Sequence, residues 1–393
     1  MSTATLTPPT TSLLGVYRPA EPEFVRGDGA WLEDAEGRRF LDFTSGLGVM
    51  ALGHGSDIVA DAVRASLDAG LVHTSNLFRT APAAALAEWL TSHSFADAVF
   101  FSNSGAEANE AALKFARKWA RTTSGAERTE VVAFSSSFHG RTYGALSVTD
   151  RPAYQAPFAP LVPGFRIVDP REPGALESAI GPRTAAVIVE PIQGEGGVRP
   201  LPPALGRRLT ALCREAGALL IVDEVQVGLG RTGELWAHEA AGLAPDIMTL
   251  AKPLAGGLPM GATLVTERVA AAIQPGDHAT TFGGGPLVAS AALAVCQVLG
   301  DPAFLEGVHA RSELVASRLG AVESRSDVVA VRGAGLIWGV QLDSPVAGQV
   351  VARALEQGLL LCPAGADVVR LLPPLNIGLS DLEAGLDLLE EAL

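Results

Sequence analysis

The stretch "GALLIVDEVQVGLGRTG", residues 217–233, decides the fold. Ala218 to Val222 are apolar without interruption and run straight into two acids, Asp223 and Glu224. A strand that is apolar at every position has both faces covered, which is how a parallel sheet between two helical layers reads. Runs of the same kind recur as "AVFFSNS" near 98, "EVVAF" near 130, "TAAVIVEP" near 184 and "PDIMTLAK" near 245. Helical patterns such as "GAEANEAALKFARKWA" and "PPALGRRLTALCREAG" lie between them. The alternation predicts a mostly parallel, doubly wound α/β core over residues 56–294.

The flanks read differently. "GAWLEDAEGRRFLDF", beginning at Gly29, alternates apolar and polar residues around turn signals and predicts a small antiparallel piece within residues 1–55. Beyond 294 helical stretches mix with "GLIWGVQLD" and "VVRLLPPLNI", so residues 295–393 and the N-terminal segment together predict a smaller α+β lobe. No low-complexity linker separates the parts, and tight packing is expected. With 393 residues, two lobes are the default in any case.

Bulk properties narrow the function. A net charge of −14 opposes an extended phosphate-backbone surface, so nucleic acid is not an expected partner. No apolar run approaches the roughly 18 residues that span a bilayer, so no membrane is expected either. "MSTATLTPPTTSLLG" has no basic residue ahead of a hydrophobic block and reads as a loose Thr/Pro leader rather than a signal peptide. Cys213, Cys296 and Cys362 are odd in number and widely spaced, which suits a reducing, cytoplasmic setting without disulfides or structural metal.

Three stretches carry chemistry. In "FFSNSGAEANEAALK" a strand passes through Ser104, Gly105 and Ala106 into a helix, whose exposed N–H groups suit a phosphate. The same residues also spell an ordinary capping box, Ser104 with Glu107. At the end of the 217–222 run, Asp223 should face the crevice where ligands of open α/β sheets bind. "GLGRTG" matches a dinucleotide fingerprint in letters only, because Asp223, Glu224 and Gln226 intervene between strand and glycines.

The third stretch is "IMTLAKPLAGG", residues 247–257. The chain has three lysines against 26 arginines, so a lysine at a strand end calls for an explanation. Pro253 holds Lys252 extended. An amine in an apolar site has a lowered pKa and forms a Schiff base. A phosphate cradle, a strand-end carboxylate and such a lysine are the parts that pyridoxal phosphate requires.

From "FVRGDGAWLEDAEGRRFLDF" through "FSNSGAEANEAALKFAR", "SFHGRT", "VEPIQGEGGV", "LLIVDEVQVGLGRTG", "PDIMTLAKPLAGGLPMGA" and "ATTFGG" to "RLLPPLNIG", the chain resembles the class III, ω-type aminotransferases of fold type I. Within them it is most similar to the acetylornithine aminotransferases. The resemblance implies pyridoxal 5′-phosphate as cofactor, Lys252 as Schiff-base lysine and proton shuttle, and Asp223 as partner of the ring nitrogen. Gln226 would approach the ring hydroxyl, and Val225 and Phe138 would sandwich the ring, with Glu224 beside them. Ser104, Gly105 and Ala106 would form the phosphate cup.

Thr281 would reach the phosphate of a neighbouring subunit and Thr280 the substrate across the same interface, which implies a homodimer with shared sites. Arg141 would grip a substrate carboxylate. Glu195 and Arg370 would form a switch pair that opens for 2-oxoglutarate. The implied reaction moves the terminal amino group of N2-acetyl-L-ornithine to 2-oxoglutarate. Leu47 stands where ornithine aminotransferases carry a tyrosine for the free α-amino group, which favours an acylated donor. Pro253, Gly285 and Met50 depart from the family pattern. Other ω-amino donors remain open at this level: a carrier-bound lysine precursor, N-succinyl-diaminopimelate, ornithine and 4-aminobutyrate. So do a nicotinamide-dependent oxidoreductase and a silent binding protein of the same fold.

Overall fold

Seven strands make the central sheet, in the order Ala98–Ser102, Gly261–Val265, Ile247–Leu250, Leu219–Asp223, Thr184–Val189, Glu130–Phe134 and Phe165–Val168. All run parallel except Gly261–Val265, which is antiparallel to both of its neighbours. The computed structural model describes residues 12–393. Most of the Thr/Pro leader, residues 1–11, lies outside the described residues.

Period-2 alternation sorts the buried side chains of this sheet into two layers. Leu219, Ile221 and Ile247 pack with Ala111, Ala112 and Phe115 of helix Gly105–Ser124. Leu220 and Val222 turn the other way, onto Leu209 and Cys213 of helix Pro203–Ala216. Each such side chain contributes about 1.5–3 kcal/mol on burial, so covering both faces is what fixes the sheet. Two of its strands are poorly marked in the sequence. Phe165–Val168 is a four-residue edge strand containing Arg166, and Gly261–Val265 opens on glycine and carries Thr263. Thr263 is tolerated in the core because its hydroxyl donates to the Ala108 carbonyl at 2.9 Å.

Around this core, Phe24–Asp28, Trp31–Asp34 and Arg39–Asp42 form an antiparallel sheet, and Leu359–Leu360 joins it in parallel against Leu41 and Asp42. A second antiparallel sheet holds Val328–Ala334, Ile337–Leu342, Val368–Leu371 and Cys362–Pro363. One apolar cluster runs from Leu41 and Phe43 through Leu250 and Leu264 to Leu382 and Leu386. Both chain ends therefore share a core with the central sheet. Among the described residues no single helix is long and apolar enough to cross a membrane.

Candidate active site

A cavity of about 410 Å3 opens at the carboxyl ends of the parallel strands. Asp223 reaches it because alternation puts its side chain on the face of Leu219 and Ile221, beneath helix Gly105–Ser124. Asn109 of that helix donates from Nδ2 to Asp223 Oδ2 at 2.7 Å and to the His139 carbonyl at 2.8 Å. The Asn109 amide oxygen accepts from Thr249, the register partner of Asp223 on the next strand. His139 Nδ1 lies 2.8 Å from the same carboxylate oxygen, and the Val225 N–H donates to the other at 3.0 Å. Burial alone would lower the proton affinity of His139. The hydrogen bond and charge of Asp223, with the charge of Glu190, more than offset it and raise the imidazole above its ordinary value.

Glu190 also lines the cavity and accepts from the Phe138 and Gly194 N–H groups at 3.0 and 3.3 Å. Burial pushes its carboxyl up to about 7. Lys252 lines the same cavity, and its Nζ has no hydrogen-bond or ion-pair partner among the described residues. Burial, then the nearby Arg370 charge, pushes the amine down to about 8 against the pull of Glu195, Asp223 and Glu190.

Helix Gly105–Ser124 begins at the cavity wall. Ser104 Oγ accepts from the Glu107 N–H at 3.2 Å, and Glu107 accepts in turn from the Asn103 N–H at 2.6 Å. The capping box and the anion cradle therefore coexist, because the Gly105 and Ala106 N–H groups are left over at the cavity. Gly105 is required there: a Cβ would lie 2.6 Å from Val225 Cγ1.

Arg370 is 1% exposed and lies behind the cavity wall. Its Nη1 donates to Glu195 Oε1 at 2.6 Å and to Gln226 Oε1 at 3.1 Å. Burial alone would raise the Glu195 carboxyl, but Arg370, with Lys252 and Arg151, holds it below its usual range. Arg141, on the cavity wall, stacks over Tyr154 with 3.4 Å from Cζ to the ring centroid and has no carboxylate partner among the described residues.

Ser104, Gly105, Ala106, Phe138, Arg141, Glu195, Asp223, Val225, Gln226 and Lys252 thus meet around one space. Glu224 does not. Neighbours at a strand end point to opposite sides, and Glu224, fully buried, accepts from the Ala237 and His238 N–H groups and from His238 Nδ1. It caps a helix instead of meeting a cofactor. Thr281 lines a separate hollow of about 370 Å3 with His73, Asn76, Arg79 and Gly285. Thr280 bridges the two, its Oγ1 accepting from Asn103 and its carbonyl from Asn76. Leu47 sits in a turn where Ser45, Gly46, Leu47 and Gly48 all have positive φ. Met50 packs against Gly257 rather than lining the cavity.

Asn109, His139 and Glu190 are the site residues that the sequence reading missed. Their one signal is a polar side chain on an otherwise apolar helix face or beside a strand end. The arrangement fits pyridoxal phosphate. The cradle has free amides, the floor has a carboxylate with two orienting partners, the wall has an unpartnered amine, and Gly105 leaves the space that a side chain would fill.

Comparison with known proteins agrees. The family profile described as "Aminotransferase class-III" matches residues 17–393. The acetylornithine aminotransferase of Gloeobacter violaceus is 47% identical over 369 residues, 93% of this chain and 92% of that protein. Among solved structures, the ornithine aminotransferase of Toxoplasma gondii ME49 superposes with a TM-score of 0.92 at 32% identity, covering 97% of this chain and 92% of that one. The N-acetylornithine aminotransferase of Stenotrophomonas maltophilia K279a gives 0.83 at 37% identity, over 95% and 96%.

Proposed function

This chain belongs to the class-III aminotransferases, which depend on pyridoxal 5′-phosphate, and from that premise we propose that it moves the terminal amino group of N2-acetyl-L-ornithine to 2-oxoglutarate. The products are N-acetyl-L-glutamate 5-semialdehyde and L-glutamate, a step of arginine biosynthesis.

The observation that carries this reading is one cavity lined both by a guanidinium, Arg141, without a carboxylate partner and by an amine, Lys252, without a hydrogen-bond partner among the described residues. A donor with a carboxylate at one end and a primary amine at the other suits that pair. Leu47 offers no hydroxyl to a free α-amino group, in keeping with an acylated donor. The higher identity to an acetylornithine enzyme than to the ornithine enzyme points the same way.

The cofactor supplies an electron-withdrawing ring and carries the nitrogen between two half-reactions. Gly105 and Ala106 would hold its phosphate by their backbone N–H groups, and Phe138 and Val225 would enclose the ring. Asp223, held in direction by Asn109 and His139, would pair with the ring nitrogen. Lys252, once its amine is neutral, takes and returns the proton at the amino-bearing carbon of the donor. Arg141 grips the donor carboxylate in a bidentate pair.

While the donor is bound, Glu195 stays on Arg370 and screens it from the cavity. 2-Oxoglutarate brings a second carboxylate. Glu195 swings aside, Arg370 takes the α-carboxylate, and Arg141 keeps the other. The enzyme acts as a cytoplasmic homodimer in which Thr281 of each subunit completes the phosphate site of its partner. The support is that Thr281 lies in a separate hollow, away from the cradle of its own subunit.

The test is a visible spectrum of the purified protein before and after N2-acetyl-L-ornithine is added without 2-oxoglutarate. Loss of the yellow absorbance, restored by 2-oxoglutarate, is expected. A spectrum that responds to ornithine or 4-aminobutyrate and not to the acetylated donor overturns the substrate.

A further inference from the structure

Arg370 has two cross-strand partners. The register sets Gly339 opposite it on one side and Cys362 on the other. Directly paired residues project to the same face, and glycine contributes nothing there, so the Cys362 thiol is the side chain that strand pairing brings to Arg370. Arg370 Nε donates to Cys362 Sγ at 3.4 Å. The other edge of the guanidinium, Nη1, bonds Glu195 and Gln226.

The two edges thus differ in kind. Glu195 is a charged partner with 30% of its side chain exposed, able to leave. Cys362 sits on the sheet, buried, and burial pushes its thiol up from the ordinary value, so it meets Nε as a neutral group. A carboxylate in its place would neutralise the guanidinium and weaken its hold on any other anion. An aliphatic side chain would leave a buried N–H without an acceptor.

We propose that Cys362 is a positioning residue for the acceptor half-reaction: its thiol holds the Nε edge of Arg370 while the opposite edge exchanges Glu195 for the incoming carboxylate. The inference rests on the reading of Arg370 as ligand of 2-oxoglutarate. It goes beyond that reading by assigning the direction of the guanidinium to a group that touches neither substrate nor cofactor.

The experiment follows the two half-reactions separately, by the cofactor spectrum of the holoenzyme, in Cys362→Ala, Cys362→Ser and Arg370→Ala. Cys362→Ala is expected to raise the half-saturating 2-oxoglutarate concentration about three- to tenfold, the scale of one ordinary hydrogen bond, since sulfur is a weak acceptor. Its donor half-reaction should stay within about twofold of the wild type, because Arg141 carries that step. Cys362→Ser, whose hydroxyl also accepts from Nε, is expected to remain near the wild type in both.

An unchanged 2-oxoglutarate dependence in Cys362→Ala, or an equal loss in both half-reactions, overturns the proposal. If Arg370→Ala itself leaves the acceptor half-reaction intact, the underlying role of Arg370 falls instead. Should Cys362→Ala fail to fold, Cys362→Val, one methyl group larger and without an acceptor, gives the same reading.

Discussion

At Lys252 the decisive quantity is proton affinity. Only the neutral amine attacks an aldehyde, and an exposed lysine loses its proton near pH 10.4. Burial and Arg370 bring Lys252 to about 8, so the reactive form is gained as pH rises through about 8 and lost below it. The rate at which apo-protein takes up pyridoxal phosphate should therefore rise with a midpoint near pH 8; a midpoint near 10 would contradict this environment. Arg141 sets a second expectation. Removing a charge-assisted, bidentate contact costs about 1.5–3 kcal/mol, so Arg141→Ala should lower kcat/KM for the donor roughly 10- to 150-fold. The cofactor spectrum should be unaltered, and an Arg141→Ala enzyme with wild-type kcat/KM would remove the residue from the donor site. Lys252 was legible because lysine is so rare in this chain, and Asp223 because it ends an apolar strand. Asn109 and His139 were not, because their meaning lies in a hydrogen bond between helix, loop and strand that no local pattern encodes.

At the scale of elements, the strand ending in Asp223 does two jobs with two adjacent acids. Asp223 turns toward helix Gly105–Ser124 and the cavity. Glu224 turns away and holds the start of helix Ala237–Ala240 by two backbone N–H groups and His238. Breaking a buried, hydrogen-bonded pair costs about 3–5 kcal/mol, so Glu224→Ala should lose about that much in denaturant unfolding. What protein remains folded should keep a normal cofactor spectrum; a stable variant with impaired cofactor binding would return Glu224 to the site. Five strands of the central sheet were readable because they are apolar on both faces. Gly261–Val265 was not, since its glycine is accommodated by close packing and its threonine by the Thr263 hydroxyl bond rather than by hydrophobicity. In sequence Glu224 looks equivalent to Asp223, and only the alternation at the strand end, which sends the two acids to opposite sides, separates them.

For the whole molecule, the separation of Thr281 from the cradle of its own subunit makes the shared-site dimer testable by complementation. Lys252→Ala and Thr281→Val subunits, each impaired alone, should regain activity when mixed and allowed to exchange. Random exchange makes about half of the dimers mixed, each with one complete site, so about a quarter of wild-type activity is the ceiling. No recovery on mixing, with subunit exchange verified, would place Thr281 in its own subunit's site. The pairing of Leu359–Leu360 with Leu41 and Asp42 has a further consequence, for the protein during its own synthesis. The strand Arg39–Asp42 leaves the ribosome early and keeps one edge open until nearly the whole chain has been translated, and Arg370 arrives in the same late segment. An exposed strand edge invites pairing with other chains. The unfinished polypeptide therefore carries an open strand edge for most of its synthesis, and that edge is covered only when the segment bearing Leu359, Leu360 and Arg370 has been made.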